Sequence, residues 1–328
     1  MLITIDKTIK DLHGVFEPCF SVQYLDSNEI SKEKLKDSIA LIVRSTKKYG
    51  AEILEGTNIK FIGTVTSGYE HIDTEFCEQK GIFWANAHGS NAKSVAEYIS
   101  AALTEISKKN GKPLNAFSLG IVGVGAVGSC VKKNAKKFGM NIFLCDPPKN
   151  MNDNIFCADI ITLHTPLEKH GKYPTYHLAN KDFFRKMKPG AWFINTARGA
   201  VCDSEALRSA LKAKHLGGAV IDVWENEPNI DESLLPLIEI ATPHIAGHSA
   251  EAKINAANML INSVGKYFNI EELKNKALPA PLNTGENNSI RTDDFIFRNE
   301  PKKFTEIRDF YCRCPACPLT NTPKKSYI

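Results

Sequence analysis

The sequence predicts an α/β chain built around a doubly wound parallel sheet, with a second, smaller α/β unit, and three observations carry that reading. The chain has 328 residues, which at roughly 150 per domain points to about two domains. Short apolar runs recur along it without polar alternation, as strands of a parallel sheet do when both faces are buried. Helical patterns separate several of these runs, which is the alternation of a doubly wound layout.

Taken in order, LITID, ALIVRS, KFIGTVT and IFWANA are the candidate strands of the first 90 residues. Val95, Tyr98, Ile99, Ala102, Leu103 and Ile106 then recur at helical spacing, predicting a helix over about 92–109. Asn110, Gly111 and Pro113 stop it before the strand AFSLGIVGV. Residues 113–131 carry no charge, yet glycines at 120, 123, 125 and 128 interrupt them, so a strand and a glycine turn explain the run better than a membrane helix. NIFLC, DIITLH, AWFIN, GAVIDV and IEIAT follow as strands, with SEALRSALKAKH among the helices between them. A last helix over about 251–268 shows one apolar face through Ile254, Ala257, Ile261, Val264 and Phe268, and its place after the last strand returns the chain to the first unit. From residue 269 the pattern fades.

Composition narrows the function class. Forty-three per cent of residues are hydrophobic and 24% charged, which argues against a disordered, fibrous or membrane-embedded chain. The net charge is only +4, with no basic block that would mark a nucleic-acid surface. Asp6, Lys7 and Lys10 sit where a signal peptide needs an apolar stretch. Of the nine cysteines, six are scattered among apolar runs and read as reduced core residues of a cytoplasmic protein. Cys312, Cys314 and Cys317 form a C-x-C-x2-C cluster, which lacks the fourth ligand and regular spacing of a structural zinc site. They read as free thiols, and no metal is expected.

The chemistry concentrates at strand ends. Gly123-x-Gly125-x-x-Gly128 follows a strand and opens a helix, the setting in which glycines allow a tight turn and a close approach of backbone to a pyrophosphate at the helix N-terminus. Asp146 ends the next strand, 18 residues after Gly128, placed to accept hydrogen bonds from ribose hydroxyls and to repel a 2'-phosphate. That pairing predicts a Rossmann domain that takes NAD rather than NADP. Arg198 follows AWFIN within NTARGA, a cation able to hold a carboxylate bidentately. Asp222 and Glu227 follow in IDVWENEP, and His244 in TPHIAGH. Each alone has a plain structural explanation; their succession after consecutive strands points to one crevice.

With these residues in view, positions 1–268 resemble the D-isomer-specific 2-hydroxyacid dehydrogenases, through the glycine turn with Asp146, NTARGAV, VIDVWENEP and TPHIAGH. Within that family, LIVRSTKK, FIGTVTSGYEHID, FLCDPP, ITLHTPLEKHGKYPTYHLA and HIAGHSAEAK resemble the branch that oxidises erythronate 4-phosphate in vitamin B6 synthesis. The resemblance implies an NAD-binding domain at 94–245 inserted in a flavodoxin-like substrate domain at 1–93 plus 246–268. It also implies a C-terminal dimerisation region, for which 269–328 is a shortened candidate, and a homodimer. His244 would be the general acid/base, Glu227 would orient it and raise its pKa, and Arg198 would bind the substrate carboxylate. Thr165, Asp222 and Gly247 would join Asp146 and the glycines at NAD, Asp222 near the carboxamide. Arg44, Ser45 and Thr66 would hold the substrate phosphate. His248 stands where the branch usually has a tyrosine, and only twelve residues separate Asp146 from Asp159, so one crossover helix is expected to shrink to a turn. Two readings stay open beside this one: a sibling dehydrogenase for 3-phosphoglycerate or glyoxylate, and an NAD-sensing interaction protein on the same fold.

Overall fold

The computed structural model describes residues 1–147, 149–150, 152–280 and 290–313, with side chains to 308. Cys314 and Cys317 lie outside the described residues, as does the side chain of Cys312. The chain divides into two compact units: Met1–Asn91 with the stretch from Glu251 to residue 280, and Ala92–Ala250 with the described residues after 289.

The first unit is built on five parallel strands, β1 (Leu2–Asp6), β2 (Ser21–Leu25), β3 (Ser38–Val43), β4 (Phe61–Thr64) and β5 (Phe83–Asn86), in the order β2-β1-β3-β4-β5. β2 escaped the sequence reading because SVQYL is an edge strand, half covered and mixed in polarity. Helix Ala250–Tyr267 seals one face with Ala257, Leu260, Ile261 and Val264 against Ile3, Ile5, Ile42 and Phe61. Gly63 is required there, since a Cβ would lie 2.3 Å from the Leu260 Cδ1.

The second unit has six parallel strands, β6 (Ser118–Val122), β7 (Asn141–Cys145), β8 (Ile160–Leu163), β9 (Trp192–Asn195), β10 (Gly218–Ile221) and β11 (Ile240–Ala241), in the order β11-β10-β9-β8-β6-β7. β6, β8, β9, β10 and β11 are buried along their whole lengths, which is why their sequences do not alternate. Helix Ala92–Asn110 buries all six residues of its apolar stripe at 4% exposure or less. At roughly 1.5–3 kcal/mol for each large apolar side chain, that stripe is a main anchor of the unit. The chain runs from β6 outward to β7 and then back past β6 to β8, so the crevice between β6 and β8 is the switch point at which such sheets bind ligands. Among the described residues, the helical structure of the short link after β7 is the 3-10 turn Asp153–Cys157.

Among its described residues, the C-terminal stretch that showed no period contains the short helix Glu271–Lys274 and two longer ones, Ile290–Asn299 and Phe304–Arg313. Phe297, Phe304 and Ile307 enter the core of the second unit, and residues 269–280 group with the first. No described helix is long and apolar enough to cross a membrane.

Candidate active site

On the β7-β6-β8 side of the sheet the three glycines act in three ways. Gly123 has φ +87°, and a Cβ there would lie 2.6 Å from the His164 carbonyl oxygen, so the turn after β6 packs directly on the chain after β8. At Gly128 a Cβ would stand 2.0 Å from the Gly123 carbonyl oxygen, which seats the helix on the turn. Gly125 caps helix Ala126–Lys137, and a Cβ on it would meet nothing within 4 Å. The bare backbone at that N-terminus faces open space, where an anion is favoured by the unsatisfied N–H groups and the helix dipole.

Two further features fit a dinucleotide. Thr165 is 8% exposed and its hydroxyl, like that of Thr196 just past β9, is buried with no hydrogen-bond partner among the described residues. Such groups are costly unless something satisfies them. Asp146 directly follows β7 with its carboxylate partly exposed, Lys149 at 3.4 Å. Thr196 was not picked out from sequence, since a threonine inside NTARGA carries no signal of being left unpaired.

The β9-β10-β11 side carries the ionisable groups. His244 and Glu227 meet directly, Nδ1 to Oε2 at 2.7 Å, and the other Glu227 oxygen accepts the Trp224 backbone N–H at 2.6 Å. Burial is the largest single influence and opposes charge on both, yet the surrounding groups together outweigh it, each partner foremost for the other: Glu227 is held below the ordinary carboxylate range and His244 is raised above the ordinary imidazole value. The positive charge of Arg198 reaches His244 and opposes its protonation, and the negative charge of Asp222 favours it. His248 stands with its ring at right angles to that of His244, centroids 6.2 Å apart.

The turn that presents His244 is fastened by Asp222. Its carboxylate accepts from the Thr242 hydroxyl at 2.6 Å and from the backbone N–H groups of Ile245 and Ala246 at 2.8 and 3.0 Å, while its carbonyl accepts from the His244 N–H. Because Thr242 donates to Asp222, the Tyr98 O–H must donate to Thr242. Asp222 is buried, and burial raises its pKa. Gly247 continues the same turn. The Arg198 loop is braced by Asn195, whose amide donates to the Arg198 carbonyl and accepts from the Ala197 N–H, each at 3.0 Å. Tyr98, Asn195 and Thr242 were read from sequence as core or strand residues, and only the fold shows their second task.

The proposed phosphate residues all lie in the first unit. Arg44 and Ser45 follow β3, and Thr66 lies two residues past the adjacent β4. One Arg44 N–H donates to the Thr8 hydroxyl at 3.1 Å, and Thr8 in turn donates to Asp6. Thr66 donates to the Gly68 carbonyl, so Thr64 donates to Thr66 and His71 Nε2 donates to Thr64. His71 is buried and neutral, its pKa pushed down to about 4.

Comparison with known proteins places this geometry. The family described as "D-isomer specific 2-hydroxyacid dehydrogenase, NAD binding domain" matches residues 88–246. An erythronate-4-phosphate dehydrogenase of Bacteroides fragilis is 40% identical, covering 95% of this chain and 96% of its own. One from Escherichia coli is 37% identical over 86% and 78% of the two chains. Among solved structures, NAD-bound 3-phosphoglycerate dehydrogenase of Entamoeba histolytica superposes with a TM-score of 0.70 at 28% identity, over 85% of this chain and 99% of that one. The NAD-dependent oxidoreductase chemistry and the doubly wound fold go with that kinship. The chain belongs to the D-isomer-specific 2-hydroxyacid dehydrogenases, in their erythronate-4-phosphate dehydrogenase branch.

Proposed function

We propose that the chain oxidises 4-phospho-D-erythronate at C2 to 2-oxo-3-hydroxy-4-phosphobutanoate, within vitamin B6 synthesis. The observation that carries this is the His244–Glu227 pair at 2.7 Å, with the charge of Arg198 acting on His244, on strand ends of the same parallel sheet whose β6 leads into an NAD-type glycine turn. NAD supplies the hydride acceptor. Glu227 occupies Nδ1 of His244 and leaves Nε2 to take the C2 hydroxyl proton, and the resulting imidazolium is stabilised by the same carboxylate. Arg198 binds the substrate carboxylate in a forked contact that lysine could not reproduce. Gly123, Gly125, Gly128, Asp146, Thr165, Asp222 and Gly247 are assigned to NAD, and Arg44, Ser45, Thr66 and His248 to the substrate. A cytoplasmic homodimer completes the reading, and the dimer is checked by light scattering in solution.

The direct test follows NADH absorbance with purified protein, NAD and a panel of three- and four-carbon 2-hydroxy acids, with and without phosphate. Erythronate 4-phosphate should give the highest kcat/KM; preference for 3-phosphoglycerate or glycolate would move the chain to a sibling activity, and no turnover on any acid to a sensing role.

Arg44→Ala should penalise erythronate 4-phosphate more than unphosphorylated erythronate. A charged forked contact is worth about 1.5–3 kcal/mol, so selectivity should fall by roughly ten- to a hundredfold. Equal losses on both acids would make Arg44 a structural residue, through its bond to Thr8.

Asp146→Ser removes the acceptor for ribose and the charge that repels a 2'-phosphate. NAD should bind roughly tenfold or more weakly, while discrimination against NADP shrinks. An unchanged ratio of kcat/KM for the two cofactors would assign the preference elsewhere.

A further inference from the structure

The C-terminal helix Ile290–Asn299 lies against the two strand ends that carry the His244–Glu227 pair. β11 is the edge of its sheet and only two residues long, a poor platform by itself for a catalytic turn three residues downstream. Its Ala241 N–H, which has no further strand to bond, donates to the Asp294 carboxylate at 2.7 Å. Asp294 is held in turn by the Arg298 Nε at 2.7 Å, and the remaining Arg298 nitrogens donate to the carbonyls of Leu235 and Ile238, on the approach to β11, at 2.5 and 2.6 Å. Arg291, one turn back, grips Glu239 and Glu105 at 2.8 and 3.1 Å. The same helix reaches the glutamate. Phe297 is fully buried, its ring 5.8 Å from that of Trp224. The Trp224 backbone N–H bonds Glu227, and its indole N–H bonds the Thr242 carbonyl at 2.9 Å.

We propose that helix Ile290–Asn299 is a positioning element of the active site, with Asp294 holding β11 beneath His244 and Phe297 holding Trp224 behind Glu227. The proposal rests on the reading of His244 and Glu227 as the proton-transfer pair. It assigns this part of the C-terminal region work inside its own unit. Neither Asp294 nor Phe297 needs to touch substrate; each sets the distance across the pair.

The charged groups around the pair define the sign of the expected effect. His244 faces Glu227, Asp222 and Arg198; Glu227 also feels Arg308 from the last helix; Asp294 faces Arg298 and Arg291. Against the lowering by burial, the charge and hydrogen bond of Glu227 are the foremost influences that raise His244, ahead of Asp222, so loosening the pair lowers the His244 pKa. In the oxidation direction His244 must be neutral to act as base, so the acidic limb of the pH profile should move to lower pH.

The test uses the full-length enzyme. Asp294→Ala should lower kcat roughly ten- to a hundredfold, as misplacement of a catalytic group by up to about 1 Å does, with little change in KM for NAD, and move the acidic limb down. Asp294→Asn keeps an oxygen acceptor for Ala241 and should restore most of kcat and the limb. Phe297→Leu, which leaves Asp294 in place, should shift the limb the same way and keeps the idea testable if Asp294→Ala fails to fold. Leu35→Ala, a fully buried core truncation in the first unit, is the control for general destabilisation: Tm should fall and the limb stay. Lower Tm with an unmoved limb in the Asp294 and Phe297 variants, or an equal shift in Leu35→Ala, would overturn the proposal. Glu227→Gln separates the two levels: a limb that moves for Glu227→Gln but not for Asp294→Ala sinks only this inference, and a limb unmoved by Glu227→Gln sinks the proton-transfer reading itself.

Discussion

His244→Asn is expected to lower kcat by about 10²–10⁴-fold, the usual worth of a positioned general acid/base. Asparagine is the apt replacement for a backbone reason. His244 has φ +59°, a left-handed conformation that asparagine adopts more readily than most residues, so the turn that follows β11 should survive. The amide can still donate to Glu227, but it cannot take a proton from a substrate hydroxyl. The side chain is one-third exposed, so little packing is lost and Tm should stay close to that of the parent. Turnover by the parent enzyme should also depend on pH in opposite senses in the two directions. Glu227 raises the His244 pKa, so oxidation rises as pH passes upward through that raised value, and reduction, which needs the imidazolium, falls over the same interval. A His244→Asn enzyme with near-parental kcat would remove His244 from the chemistry.

How much of this could be read beforehand depended on whether the signal was local. The glycine turn, Asp146, Arg198, Glu227 and His244 each sit within a few residues of an apolar run, and because strands of a parallel sheet end on one side, knowing the runs places the groups together. β9, β10 and β11 proved to be neighbours, and that adjacency joins Arg198, Asp222 and His244. What escaped was the scaffolding made across sequence. Asn195 folds back on its own loop, Tyr98 reaches Thr242 from a helix 144 residues away, and Asp294 reaches Ala241 across 53 residues. No periodicity announces such bonds. The last helices were overlooked for a related reason. IRTDDFIFRN carries four charged residues in ten, and two of them, Asp294 and Arg298, are spent on an edge strand and on the carbonyls before it rather than on solvent.

Gly199→Ala should be nearly as damaging as loss of His244, although the added group is one methyl that never meets substrate. An alanine Cβ at 199 would lie 1.9 Å from the Trp224 carbonyl oxygen, 2.0 Å from its carbon and 2.6 Å from the Glu225 nitrogen. All three are backbone atoms, so no side chain can swing aside. Either the 198–201 turn or the 224–225 segment must move. The first is fixed at Ala200 and Val201 by hydrogen bonds from His177 and Ala179 and carries Arg198; the second carries the N–H that holds Glu227. Relief of the clash therefore displaces one side of the site whichever segment yields. Overpacking of this kind costs about 1–3 kcal/mol or more, and a displacement near 1 Å costs roughly a hundredfold in rate, so kcat/KM should fall by about that factor while Tm drops. Gly125→Ala supplies the contrast. Its φ of −75° suits any residue, and the new Cβ meets nothing within 4 Å, so Tm without cofactor should not change. The methyl would instead occupy the bare N-terminus where the pyrophosphate is expected, weakening NAD binding by calorimetry. Parental kcat/KM in Gly199→Ala would mean that the Arg198 and Glu227 loops are not in contact as described, and equal NAD affinity in Gly125→Ala would remove that helix end from the cofactor site.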